Sequence, residues 1–470
     1  MGDHRLGFRS FDAETDGESL AVAGDLPGWL SGTLYRNGPG RFHVGNRALT
    51  HWFDGFALLR RFEFRDGEIE YASRFPETDA YQAATEGELR YPEFGTNPDW
   101  SLFERLRAAL FGSLTDNASI TVRHRDGEHR AVTETNREVA FDPDSLATLG
   151  HREIPVDATG TLAHDQYDFV QEEWVGLGTR FGRRPGYVLY RDPADEPREE
   201  FARIEREEPA YLHSFALTDH YAVITEHPFR ASPRRFLADR PFAESFRWYP
   251  DREMRFLVVD RRTGEVVAEP GVPPFFTFHH VDAHERGDDL FVDLVAFEDH
   301  SIVPALTLAN LRSRDPDVPG GELRRFRIDL DSEDADGRTI FEGPIEFPTT
   351  HYAEANLHPY RFCYGVGKEQ GSFNDRLHKV DVERGHAREW HEPGLHPGEP
   401  LFVPRPDGEG EDDGVLLSVA LDTEEERSCV LVLDAAEFEE VARASLPHVV
   451  PFDFHGAFYP DDQRPTPSMT

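Results

Sequence analysis

The chain has 470 residues, 38% of them hydrophobic, and carries 89 acidic against 50 basic side chains, a formal net charge of -39. Only Lys368 and Lys379 are lysines, so almost all positive charge is arginine. A surface of this sign repels a phosphate backbone, which excludes nucleic acid as a partner, and it repels itself unless salt screens it at short range, so the profile reads as adaptation to a saline cytoplasm.

The N-terminus, MGDHRLGFRS, lacks an apolar signal core, and no stretch approaches the roughly 18 apolar residues of a membrane span. A cytoplasmic protein is expected. Leu6 stands where a myristoylation signal wants Ser or Thr, so lipidation is set aside. Short apolar or alternating runs follow one another along the chain: GTLYRNG, FALLRRFEF, HYAVITE, RFLVVD, DLFVDLVAF, HKVDV, GVLLSVALD and CVLVLD. They read as strands, and turn-forming clusters such as DGE at 66–68, DPDS at 142–145, RTGE at 262–265 and EDDG at 411–414 punctuate them as hairpins. The class is all-β, a propeller or a large barrel, with no clean period to fix the number of blades. One domain spanning 1–470 is expected, with a disordered tail over 461–470.

Two segments break the strand pattern. In WSLFERLRAALFGSL, Leu102, Phe103, Leu106, Leu110 and Leu114 fall near one helical face, which predicts an amphipathic helix over 101–114 that either caps the core or lies in a membrane interface. RRFLADRPFAESFRWYP, with Phe236, Leu237, Phe242, Phe246 and Trp248, poses the same choice. Cys363 and Cys429 are too few for a disulfide framework and read as packing residues.

Neither an HExxH helix, a nucleophile elbow, a P-loop nor a dinucleotide fingerprint is present, which removes the usual support for hydrolase and nucleotide chemistry. The acidic run DLDSEDADGRTIFE puts Ser332 and Gly343 at ligand positions of a calcium loop and reads as a solvated turn. Of the 22 histidines, four stand in apolar or small surroundings, in TLAHDQY, YLHSFAL, FFTFHHV and PFDFHGAF. Burial there favours the neutral imidazole, whose free nitrogen suits iron or zinc. Taken singly, each reads better as a core histidine bonded to a backbone carbonyl. Separations of 49, 66 and 176 residues exclude a local metal finger and permit one ligand from each of several blades.

Beyond these residue-level readings, twelve segments stand in a familiar order: LSGTLYRNGPGRF, HWFDGFALLRRFEF, RFPETDAYQAA, EFGT, VTETNREVAFDPDSL, TLAHDQYDF, YLHSFALTDHYAV, FFTFHHVDAHE, IEFPTTHY, GEPLFVPRP, EDDGVLLSV and PFDFHGAFYP. On these the chain resembles the carotenoid cleavage oxygenases, nearer to the animal branch through TDAY, EFGT and TETN, and its composition points to a haloarchaeal source. The resemblance implies a seven-bladed β-propeller with a few helices over the entrance face, and iron(II) on its axis held by His164, His213, His279 and His455, with His280 facing away. It further implies that Glu134, Glu346 and Glu399 accept the outer N–H of three ligand rings, orienting them.

By the same resemblance Phe75, Thr133, Phe278 and Phe454 line the substrate tunnel, while His51 and Asp54 are structural and Arg36 anchors a turn, with Gly38 and Gly40 supplying backbone freedom. The implied activity is oxidative cleavage of a carotenoid double bond by dioxygen, with β-carotene 15,15'-cleavage to retinal favoured over eccentric, apocarotenoid or stilbene cleavage. A redox-neutral retinyl ester isomerohydrolase and a carotenoid-carrying propeller are the other classes. Where animal members resemble one another in a Pro-Asp-Pro-Cys-Lys segment after EFGT, this chain reads NPDWSLF, without the cysteine. Peripheral contact with the inner membrane surface then rests on 101–114.

Overall fold

Aspartate-glycine pairs set the tightest hairpins. Asp66 and Gly67 take φ of 53° and 80°, and Asp126 and Gly127 take 52° and 74°; each pair fills a two-residue turn, between Arg65 and Glu68 and between Arg125 and Glu128. Turns with both central residues at positive φ match the right-handed twist of the strands they join. In the computed structural model, residues 3–101, 114–193, 196–232, 235 and 240–461 are described. Their strands form seven antiparallel sheets of four to six strands, with three two-stranded ribbons besides.

These sheets are the blades of a seven-bladed β-propeller. The residue pattern follows from each strand's place in its blade. Gly414–Asp422, central in the seventh blade, is buried at every residue but the last, because neighbouring blades cover both its faces. Thr148–Glu153, the outermost strand of the second, alternates half-buried with exposed residues. Apolar seams join the blades: Leu34, Phe62 and Phe64 of the first meet Leu417, Val430 and Val432 of the seventh, and Leu177 and Leu189 of the third meet Ile224 and Leu257 of the fourth. Each such side chain contributes about 1.5–3 kcal/mol on burial.

Both ends of the chain close the ring. His455–Pro460 pairs with Gly32–Asn37 in the first blade, and Ala21–Gly24 pairs with Glu439–Ser445 in the seventh. Over one face the connecting segments bring Phe8, Trp52, Phe56, Tyr211, Phe278 and Phe454 into one aromatic-rich cluster, joined by the short helix Ile302–Ala305.

Residues 102–113 of the anticipated amphipathic helix lie outside the described residues, as do 462–470 of the tail. Of the second amphipathic segment, 236–239 also lie outside the described residues and Arg235 is helical; further on, Ala243–Ser245 form one 3-10 turn, and Phe246–Trp248 pair as a strand with Phe229–Ala231. Phe246 is buried, its ring 5.4 Å from that of Phe229. Arg36 anchors no turn; it lies within Gly32–Asn37 and is buried. Gly38 and Gly40 serve close approach rather than conformational freedom, since an added Cβ would stand 2.5 Å from the Asp453 Cα and 2.5 Å from the Leu58 Cβ, respectively.

Candidate metal centre

Each of the four histidines sits on a segment that begins the inner edge of a blade. His164 lies between Gly160–Thr161 and Gln166–Asp168, His213 just before Ala216–Leu217, His279 immediately before His280–Arg286, and His455 opens His455–Pro460. The rings converge: one nitrogen from each lies within 4.8 Å of the others, and all four side chains are buried. The Nε2 atoms of His164 and His213 are 3.2 Å apart.

Carboxylates fix which nitrogen faces the centre. Nδ1 of His213 lies 2.5 Å from Glu134 Oε1, that of His279 2.6 Å from Glu346 Oε2, and that of His455 2.6 Å from Glu399 Oε1. A carboxylate only accepts, so each Nδ1 carries the proton and each Nε2 presents a lone pair inward. His279 Nε2 has no hydrogen-bond partner, an orphaned buried acceptor of the kind a metal ion satisfies. Burial, then repulsion from the three neighbouring rings, holds His455 well below the ordinary imidazole range, so its ring is neutral at neutral pH. Two nitrogens bound to one divalent ion at about 2.1 Å stand at most about 4.2 Å apart, close to the spacing seen. The residues therefore fit a metal, and four imidazoles without thiolate suit iron, zinc, copper or nickel.

Side chains not anticipated from the sequence lock this set in place. Arg36 donates from Nη1 to Glu399 at 2.5 Å, from Nε and Nη2 to the two oxygens of Asp453 at 3.1 and 2.7 Å, and from Nη2 to the Phe454 carbonyl at 3.0 Å. One guanidinium thus holds both the carboxylate behind His455 and the segment leading into it. Tyr211 donates to Glu134 Oε2 at 3.2 Å. Asp165, next to His164, accepts from Arg123 Nη1 at 2.5 Å and Tyr190 Oη at 3.3 Å, pinning the His164 loop to the second blade. Tyr211 and Asp453 each stand two residues before a histidine of the set, the offset that shares a face in extended chain; that spacing was the available signal.

The other sequence candidates separate cleanly. His280 turns the opposite way, to Ser214 Oγ and Thr225 Oγ1, both at 2.7 Å. His51 bonds the Val303 carbonyl at 2.9 Å, and Asp54 accepts from the His51 and Gly95 amides, a local capping arrangement. Beside the histidines lies a cavity of about 1140 Å³ whose wall includes Thr133, Phe278 and Phe454, with Phe53, Phe94, Tyr211 and Phe347. Phe75 is not among its lining residues; it stacks on Tyr81 with ring centres 4.8 Å apart, in a small cluster with Phe11 and Leu58. A second grouping, Asp79, Asp116 and His151, is explained by capping, since Asp116 accepts the Asp79 and Ala80 amides at the start of helix Asp79–Thr85. No helix among the described residues is long and apolar enough to cross a membrane.

The family described as retinal pigment epithelial membrane protein matches residues 8–460. The chain is 35% identical to carotenoid cleavage dioxygenase 8 homolog B, chloroplastic, of Oryza sativa subsp. japonica, over 94% of this chain and 82% of that one. It is 32% identical to β,β-carotene 15,15'-dioxygenase of Rattus norvegicus, over 94% and 88%. Plant and animal relatives are thus similarly near, and neither branch is singled out. Cobalt-substituted Synechocystis ACO superposes with a TM-score of 0.87 at 26% identity, covering 97% of this chain and 98% of that one.

Proposed function

The chain belongs to the carotenoid cleavage oxygenase family, and from that premise we propose that it is a non-haem iron(II) enzyme cleaving a carotenoid double bond with dioxygen to give two carbonyl products. The observation that carries the reading is the convergence of His164, His213, His279 and His455, buried beside an apolar cavity. Bound there, iron would supply the redox-active centre that activates dioxygen.

The chain's own groups prepare that centre and place the substrate. Glu134, Glu346 and Glu399 hold three rings in one tautomer, and Arg36 keeps Glu399 aimed. Four neutral imidazoles leave the ion its full charge, and no protein carboxylate among the described residues joins the set. Phe278 and Phe454 stand in the wall with Thr133, next to Glu134 in the chain, so their shapes decide which bond of an uncharged polyene reaches the centre. Aromatic walls also exclude water, which protects a reactive site from side reactions.

The preferred reaction is central cleavage of β-carotene to retinal. Iron-loaded protein is incubated in molar salt with β-carotene under labelled dioxygen, and the products are identified by mass. Labelled retinal supports the reading; longer apocarotenals would move the cleaved bond, and unlabelled products would rule out an oxygenase. Failure to take up iron on anaerobic reconstitution would remove the enzyme reading altogether.

A further inference from the structure

Lys368 stands apart in this chain. Arginine supplies 48 of the 50 basic residues, and the other lysine, Lys379, is committed to Asp412 at 2.5 Å and to the Ala435 carbonyl at 2.6 Å. Lys368 instead lines the cavity beside the histidines and makes no hydrogen bond or ion pair to a described residue. It begins the loop of a hairpin whose strands, Phe362–Gly367 and Arg376–Asp381, end on the pair Gly367 and Arg376, and the Asp375 amide bonds back to the Gly367 carbonyl at 3.0 Å.

The same loop returns a second polar group. Asn374 also lines the cavity, and its side-chain amide likewise has no described partner. Its φ of 41° lies in the left-handed region, which asparagine tolerates better than most residues. Between them Phe373 is buried, its ring 4.9 Å from Phe8, 5.5 Å from Trp52 and 5.0 Å from Phe452. The loop is therefore pinned at its centre with two donors left facing the cavity. Its distance from the metal set is bounded by the sheet: Val366 pairs with Glu346, the carboxylate behind His279, and Lys368 is two residues further, about 7 Å along the strand. Burial lowers the Lys368 ammonium from its ordinary value, against the pull of Asp375 and Asp317, so the group is partly stripped of water.

An ammonium carries three donors and no acceptor, and an unpaired one beside an apolar channel calls for an acceptor oxygen. We propose that Lys368, with Asn374, anchors the terminal carbonyl or carboxylate oxygen of an apocarotenoid, giving the cavity a polar end that admits oxygenated polyenes as a further substrate class beside hydrocarbon β-carotene. This rests on the cavity being the polyene site, as argued above, and adds to that reading a residue that discriminates among polyenes.

The test uses metal-free protein, so that it reads binding and not turnover. Wild type, Lys368→Met and Lys368→Arg are titrated with a β-apocarotenal, the matching apocarotenoic acid and β-carotene in detergent. Quenching of the cavity tryptophans Trp52 and Trp100 gives each dissociation constant. The affinity for the acid or aldehyde relative to β-carotene should fall about 10- to 100-fold in Lys368→Met, as for one charge-assisted hydrogen bond lost. Arginine should restore most of the ratio. An unchanged ratio overturns the anchor, whether because no affinity moves or because all move together, and it does so while leaving polyene cleavage standing. Absence of quenching by any polyene in the wild type would instead overturn the polyene site, and the anchor with it.

Discussion

Replacing Arg36 by Met tests whether the metal set is braced from behind. The Arg36, Glu399 and Asp453 side chains are 1%, 0% and 2% exposed, so the substitution takes the neutralising guanidinium from two carboxylates held out of water, Glu399 keeping its bond to His455 and Asp453 its contact with Arg60 Nη1 at 3.4 Å. Breaking a buried pair by removing one partner costs about 3–5 kcal/mol. With unfolding entropy near 2.1 cal/mol/K per residue, about 1 kcal/mol/K for a chain of this size, Tm should fall by about 3–5 °C. Arg65→Met is the control: its side chain is 61% exposed and its pair with Glu63 should be worth less than about 1 kcal/mol. Scanning fluorimetry gives both shifts, and metal titration should show weaker retention in Arg36→Met alone. In a Glu399→Gln background the cost of losing Arg36 should shrink by about 1–2 kcal/mol, since one of the two buried charges it neutralises has gone. A Tm loss no larger than that of Arg65→Met would refute the bracing.

His279→Ala should abolish metal binding, whereas His280→Ala should retain it and lose stability through its bonds to Ser214 and Thr225; metal analysis of both proteins distinguishes the two positions. Glu346→Gln should weaken metal affinity or activity about 10- to 100-fold, with a smaller effect on Tm. Burial pushes His129 down to about 4, His227 to about 3, His284 to about 4 and His378 to about 4. Those folded-state values are depressed, so the unfolded chain binds protons first: stability should fall as pH drops below about 6.5, by about 1.4 kcal/mol per pH unit for each such ring. Glu93 and Asp282, raised by burial, act in the opposite sense above about pH 4.5 but are fewer, so melting curves between pH 7 and 5 should show a falling Tm, and a flat profile would contradict the assignment. With a net charge of -39, Tm should also rise between about 0.15 and 1 M KCl, as the screening length shrinks from about 8 to 3 Å; no rise would count against salt adaptation.

Local chemistry was legible where it is local. The runs GVLLSVALD and CVLVLD are strands buried nearly throughout, and the DGE turn is an Asp66-Gly67 hairpin, because hydrophobic continuity and positive φ are properties of neighbouring residues. Blade number was not readable from periodicity, since hairpins of unequal length blur any repeat; it came through resemblance. The bracing of the metal set was illegible for a different reason. Arg36 sits in a strand among apolar residues, and its partners lie 363 and 417 positions away. Nothing within a window of sequence distinguishes such an arginine from a surface one. Phe75 entered through resemblance, and in the structure it packs with Phe11, Leu58 and Tyr81, a contact no local pattern announces. Lys368 was noted only as a rarity of composition, and its meaning depends on the loop that Phe373 pins.

The closure of the ring by its last strand also sets an order of events in time. His164, His213 and His279 leave the ribosome long before His455, which opens the strand that pairs with Gly32–Asn37. A nascent chain can stack early blades but holds no complete nitrogen set, because the fourth ligand and the clasp that fixes Arg36 against Glu399 arrive together. A metal held by all four rings would therefore be coupled to the pairing of that one strand. A chain cut before residue 455 would lose its clasp and its fourth ligand in a single stroke.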